Sequence, residues 1–180
     1  MMQHQPIPSG TRASAKTILL VEDNPEDVLL TLRALEMNDL HGLVQVVRDG
    51  AEALDYLFGT GGFAGRDVAR QPRIILLDLN LPKLNGLEVL DRIRADRRTR
   101  FLPVIAFTSS VSERDLMSSY LGGANSCVCK PADFAGFAET LRQIWQYWSV
   151  VNLVPPAPVP RLNQPGIAQG ATLKDWENPQ

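Results

Sequence analysis

The sequence predicts an α/β domain built on a doubly wound, five-stranded parallel sheet, and two kinds of pattern carry that prediction. Aliphatic runs without polar alternation, such as Ile74-Ile75-Leu76-Leu77, read as strands covered on both faces, the usual condition of a parallel sheet. Between the runs lie segments whose apolar residues recur at helical spacing, so strand and helix alternate along the chain as in repeated βαβ units. Open parallel sheets place their chemistry at the carboxyl ends of the strands. The polar residue that ends each run is therefore the first place to look for function.

Thr17 to Val21 is the first predicted strand and ends in the acidic pair Glu22-Asp23. Asn24 then suits a helix N-cap, Pro25 the first helical position and Asp27 the positive helix end, so a helix is expected from Pro25 to about Met37 with Val28, Leu32 and Leu35 inward. A strand near Val44 to Arg48 precedes a short helix from Ala51 to Phe58. The third strand ends in Asp78, followed by Leu79-Asn80-Leu81-Pro82, and a helix from Gly86 to about Asp96 places Leu87, Leu90 and Ile93 inward. Pro103 to Phe107 is the fourth strand and ends in Thr108, with a weaker helix from Ser112 to Leu121; the fifth ends in Lys130. In the last helix Phe134, Phe137, Ala138, Leu141, Ile144, Trp145 and Trp148 form one apolar stripe that needs a partner surface.

Taken singly, each strand-end residue has a structural reading: Asp78 as a turn residue before Pro82, Glu22-Asp23 as the approach to a helix, Thr108 as a turn residue and Lys130 as a solvated charge. Taken together, three acidic groups, one hydroxyl and one ammonium, each just past a strand, form a set for binding a divalent cation beside a phosphoryl group. Carboxylate oxygens suit Mg²⁺, and a hydroxyl and a lysine suit phosphoryl oxygens.

With these residues in this order, the chain resembles the receiver domains of two-component response regulators over roughly Lys16 to Trp148. The resemblance implies a flavodoxin-like sheet of strand order 2-1-3-4-5. It implies Asp78 as phosphoacceptor, Asp23 and Asp78 as direct Mg²⁺ ligands, Asn80 as a ligand through its backbone carbonyl and Glu22 as a ligand through water. Thr108 matches the switch hydroxyl and Lys130 the phosphate-binding lysine, while Pro131 matches the family's usual cis peptide. Cys127 stands where the family usually has an aromatic switch residue, which puts an aromatic rotation in question.

Two stretches depart from the shortest receiver pattern. Gly59 to Pro72 is a long, glycine-rich connection, expected to be mobile; it precedes a strand and lacks the Lys-Ser/Thr ending of a phosphate loop. Ser149-Val150-Val151-Asn152-Leu153-Val154 is an apolar arm, expected to be extended, and beyond it the prolines at 155, 156, 158, 160 and 165 predict a disordered tail over 155–180. Residues 1–15 are expected to be a flexible N-terminal segment. With Leu-Asp-Leu-Asn-Leu-Pro around Asp78, these departures resemble the single-domain response regulators of bacterial phytochromes. That resemblance implies a histidine kinase, of bacteriophytochrome type, as phosphodonor. Apolar residues left over at Trp145, Trp148, Val151 and Leu153 predict a homodimer, the alternative being a monomer whose arm folds back on its own domain.

Composition sets limits on function. The 180-residue chain has 44% hydrophobic residues and a formal net charge of −2, which suits one core domain with tails and gives no basic footprint for nucleic acid. No apolar stretch is long enough to span a bilayer and the N-terminus lacks the regions of a signal peptide, so a cytoplasmic location is expected. Cys127 and Cys129, two apart in a strand, share a face and are poorly placed to pair. Two other functions compete: an aspartyl-phosphate hydrolase of the haloacid dehalogenase type, which needs an acid where Asn80 stands, and a receiver-shaped interaction module without phosphorylation, which would be expected to have lost an acid or the lysine. The expectation is a signalling phosphoacceptor and not an enzyme acting on other molecules.

Overall fold

A computed structural model describes residues 17–38, 44–109 and 112–153. Lys16, Ser110, Val154, the N-terminal segment and the proline-rich tail lie outside the described residues. The strands are β1 (Ile18–Val21), β2 (Val44–Val47), β3 (Ile74–Leu77), β4 (Val104–Thr108) and β5 (Ser126–Cys129). They pair in parallel in the order β2-β1-β3-β4-β5, the doubly wound order expected. Helices α1 (Pro25–Glu36), α2 (Gly50–Phe58), α3 (Gly86–Ala95) and α4 (Glu113–Leu121) connect them, and α5 (Phe134–Trp145) follows β5.

Every residue of β1, β3 and β4 is buried, because both sheet faces are covered. The two-residue strand period divides their side chains between two cores: Leu19, Val21, Ile75 and Leu77 pack with α2 and α3, while Ile18, Leu20, Ile74, Leu76 and Phe107 pack with α1 and α5. In α3 the inward residues are Val89, Leu90 and Ile93, so Val89 takes the place expected of half-buried Leu87. The edge strand β5 is only half-buried, and α4 fully buries Ser119 alone, leaving Met117, Tyr120 and Leu121 exposed.

All five helices begin at an N-cap whose side chain accepts a backbone N–H from the first turn: Asn24, Asp49, Asn85, Ser112 and Asp133. Each such cap is worth about 1 kcal/mol. Because each follows a strand, together they order the loops at one end of the sheet.

Three expectations are corrected. The Gly59 to Pro72 connection is packed: Gly61–Phe63 forms a 3-10 turn, Phe63 stands edge-on to Tyr56 at 5.1 Å, and Arg66 lies 3.9 Å over the same ring. The Gln71 side chain donates to the Leu57 carbonyl at 2.9 Å, closing the loop onto α2. Side-chain anchors rather than backbone pattern hold this segment, and strand or helix periodicity does not reveal them.

The C-terminal segment is not extended through Val151. Gln146–Val151 continues α5 as a π-helical turn, with the Asn152 N–H donating to the Tyr147 carbonyl five residues back at 2.7 Å. Ser149 is thereby buried and the Arg73 guanidinium donates to the Asn152 carbonyl at 2.9 Å. Trp145 and Trp148, expected on an intermolecular face, pack in part against the protein's own α1/α5 core, because the helix carries them round onto it. Tyr147, Val150, Val151 and Leu153 are the large apolar residues left exposed there.

No described peptide bond is cis, so Lys130-Pro131 is trans, contrary to expectation. The trans form is the intrinsically preferred one before proline, by roughly 0.5–1 kcal/mol, and the residue types alone do not override it. No helix among the described residues is long and apolar enough to cross a membrane.

Candidate metal and phosphoryl site

The site is assembled by sheet register. Val21 pairs with both Val47 and Leu77, so the residues after β1 and β3 emerge side by side. The Glu22 N–H donates to the Val47 carbonyl and the Asp78 N–H to the Val21 carbonyl, each at 3.0 Å, extending the ladder by one step. At the far end Lys130 is brought in when its N–H donates to the Thr108 carbonyl at 2.8 Å.

The Lys130 ammonium reaches across the strand ends to three carboxylates: Glu22 Oε2 at 2.5 Å, Asp27 Oδ2 at 2.7 Å and Asp78 Oδ2 at 2.9 Å. An ammonium has three donors, and each meets an acceptor. The Lys130 side chain is 4% exposed, Glu22 2%, Asp78 9% and Asp27 20%, so the cluster opens to solvent mainly past Asp27. Oxygens of the three acids lie within 4.8 Å of one another.

Burial opposes the charge on Lys130, but its hydrogen bonds to Asp27, Glu22 and Asp78 outweigh it and hold the ammonium protonated well above the ordinary lysine range. Burial raises the Glu22 carboxyl above its usual range; Lys130 pulls it down, while Asp78 and Asp27 add repulsion in the direction of burial. Three carboxylates against one ammonium leave an excess of two negative charges. The donor set is all oxygen and the excess equals the charge of one divalent cation, so these residues fit a hard cation such as Mg²⁺.

Of the residues singled out from sequence, Glu22, Asp78 and Lys130 are brought together, and buried Thr108 touches the group through its backbone. The Asn80 N–H donates to Asp78 Oδ1 at 3.0 Å, which turns this carboxylate toward the loop that follows it. Asp23 is exposed and does not belong to the tight carboxylate cluster. Cys127 is half-buried, burial pushes its thiol pKa up, and its side chain interacts with Ser119 of α4, so this position links β5 to α4 without a ring.

Asp27 is the member that sequence reading missed as a site residue. Its place in the first turn of α1, three residues after the Asn24 cap, is explained locally by the helix dipole. The available signal was that this turn stands at the carboxyl end of β1, where a side chain can face Asp78 as easily as solvent.

The family described as response regulator receiver domain matches residues 18–142. Probable methanogenesis regulatory protein FilR2 of Methanothrix harundinacea is 42% identical over 139 residues, covering 77% of this chain and 86% of FilR2. Response regulator Rcp1 of Synechocystis sp. strain PCC 6803 is 32% identical over 79% of this chain and 95% of its own. The crystal structure of its Mn²⁺-bound form superposes with a TM-score of 0.69, over 78% of this chain and 99% of that one. The bacteriophytochrome response regulator RtBRR is 48% identical with a TM-score of 0.63, over 78% of this chain and 84% of that one. With the receiver sheet order and an acidic pocket at its carboxyl edge, this chain belongs to the response regulator receiver family.

Proposed function

We propose that the protein is a single-domain response regulator that accepts a phosphoryl group on Asp78 from a histidine kinase of the bacteriophytochrome class and signals by a change of conformation. The observation that carries this reading is the Lys130 ammonium held between Asp78, Glu22 and Asp27, a charged set that a solvated surface would not assemble. Identity of 48% to a bacteriophytochrome response regulator supports the choice of kinase class.

Glu22, Asp27 and Asp78 are the side chains available to a divalent cation, together with Asp23 and the Asn80 carbonyl that the family resemblance adds. A bound Mg²⁺ offsets the negative charge around the incoming phosphoryl group. Asp78 attacks phosphorus while the P–N bond of the donor phosphohistidine breaks and the electron pair returns to the imidazole. Lys130 exchanges a carboxylate partner for a phosphoryl oxygen. Thr108, at the end of β4, follows the new anion, and its movement is passed to the half-buried edge strand β5. Asn80 stands where a hydrolase would need an acid, so no dedicated general acid or base accompanies the acceptor.

Incubation with acetyl phosphate and Mg²⁺, read by intact-mass spectrometry, tests the reading. A single adduct on the wild type and none on Asp78→Asn is expected. Continuous turnover of phosphate would favour the hydrolase, and no adduct would favour the inert module. Transfer from an autophosphorylated bacteriophytochrome kinase tests the donor class. The proposal includes a cytoplasmic location and a homodimer using exposed Tyr147, Val150, Val151 and Leu153. Light scattering of the full chain should give twice the monomer mass, and the V151D/L153D variant should run as a monomer; a monomeric wild type removes the dimer.

A further inference from the structure

Lys83 has a φ of 64°, and it is the only non-glycine described residue with positive φ. The Leu84 N–H donates to the Pro82 carbonyl at 2.7 Å, so Lys83 is the central residue of a three-residue turn of the rare, strained sense. A lysine has no local reason to adopt it. Asparagine, aspartate and glycine are the residues that tolerate this region.

What holds the turn lies in a different element. The Lys83 ammonium pairs with the Asp49 carboxylate, whose side chain is 11% exposed and which also accepts the Glu52 N–H at 2.8 Å as the N-cap of α2. The Lys83 ammonium draws the Asp49 carboxyl below its usual range. Next to it, a Cβ on Gly50 would lie 2.3 Å from the Leu84 carbonyl oxygen and 2.6 Å from Val89, so the start of α2 presses directly on the loop. At the other end of the loop, a Cβ on Gly86 would lie 2.3 Å from the Asp78 carbonyl oxygen. The segment between Asp78 and Gly86 is thus pinned at its exit by close backbone packing and at its bend by an ion pair to α2. Asn80, which donates to Asp78, lies inside it.

We propose that the Asp49–Lys83 pair is a latch that holds the strained acceptor loop in the shape that serves the metal and phosphoryl site, making Asp49 and Lys83 positioning residues for Asp78 and Asn80. The latch rests on the receiver reading given above. It joins the acceptor loop to α2, an element that contributes no side chain to the carboxylate cluster.

Three single variants test it. Lys83→Met keeps the aliphatic stem and the strained backbone but removes the charge. Asp49→Asn removes the opposite charge while keeping a good N-cap. Lys83→Gly removes the charge and relieves the positive φ as well. Mg²⁺ affinity is read by calorimetry, and amide hydrogen exchange of Asn80, Leu84 and Gly86 is read in metal-free protein. Lys83→Met and Asp49→Asn should each weaken Mg²⁺ binding by about two- to fivefold, the range an exposed ion pair can transmit, and the double variant should lose no more than either single one. Exchange at Leu84 and Gly86 should quicken in all three, whereas Lys83→Arg, a control that keeps the charge, should retain the wild-type values of both readouts. Lys83→Gly should be more stable to urea than Lys83→Met yet bind Mg²⁺ no better, which a purely structural role would not produce. Wild-type affinity and exchange in Lys83→Met and Asp49→Asn would overturn the latch, as would losses that simply add in the double variant. A wild type that binds no Mg²⁺ would sink the receiver reading instead, and the metal-free exchange would then still decide the latch.

Discussion

Replacing Lys130 with methionine should uncover the electrostatic design of the site. The side chain is 4% exposed and its ammonium is the cation shared by Glu22, Asp27 and Asp78, so the variant leaves three neighbouring carboxylates without a counter-charge. Removing one partner of a buried ion pair costs about 3–5 kcal/mol. Asp27, at 20% exposure, admits water to the cluster and places the cost near the lower end. With a urea m-value of about 2 kcal/mol/M, a loss of about 3 kcal/mol lowers the unfolding midpoint by roughly 1.5 M. The loss depends on pH with a definite sign. Burial already raises the Glu22 carboxyl, and without Lys130 its main downward influence is gone. The folded variant then binds protons that the unfolded chain does not, so its stability must rise as pH falls from 7 toward the ordinary carboxylate range. Mg²⁺ should also recover stability in proportion to its binding to the folded state. Urea titrations at pH 7 and pH 5, with and without Mg²⁺, measure all three effects. A midpoint equal to that of the wild type, or a deficit that grows on acidification, would refute the buried three-carboxylate cluster.

The wild type should show the converse at high pH. Lys130 is held above the usual lysine value of 10.5, so its contribution is fully present below that pH and is lost as pH rises through its raised value; an alkaline melt should show a loss there that Lys130→Met lacks. Gly86→Ala should destabilise the fold by about 1–3 kcal/mol through overpacking and weaken Mg²⁺ binding, because its Cβ would meet the Asp78 carbonyl oxygen at 2.3 Å; an unchanged melt and affinity would mean the loop yields freely. Leu141→Ala, at a 1% exposed position where α5 meets the sheet, should cost about 2–5 kcal/mol and leave Mg²⁺ affinity of the folded protein unchanged. A shift in both would couple that core to the site.

Much of the molecule was legible in one dimension because the governing interactions are local or periodic. Strands such as Ile74–Leu77 declare themselves by unbroken aliphatic runs, and the first helix by its cap Asn24. The residue ending each strand was visible as a candidate because a parallel sheet brings all its strand ends to one edge. What the chain withheld depends on distant partners. Asp27 read as a helix-dipole residue until the fold set Lys130, 103 residues further on, against it. The glycine-rich connection read as mobile because its anchors, Tyr56 and the Leu57 carbonyl, belong to the preceding helix. Trp145 and Trp148 read as surplus because helical periodicity gives a stripe but not its width, and a π-helical turn carries the stripe onto the molecule's own core. Sequence alone thus determined the five strands and five α-helices, the Asn24 cap and the set of strand-end groups, all properties of neighbours in the chain. Tertiary structure decided which carboxylates share one ammonium, which loop is pinned and which apolar residues stay exposed, because those follow from contacts between residues far apart in sequence.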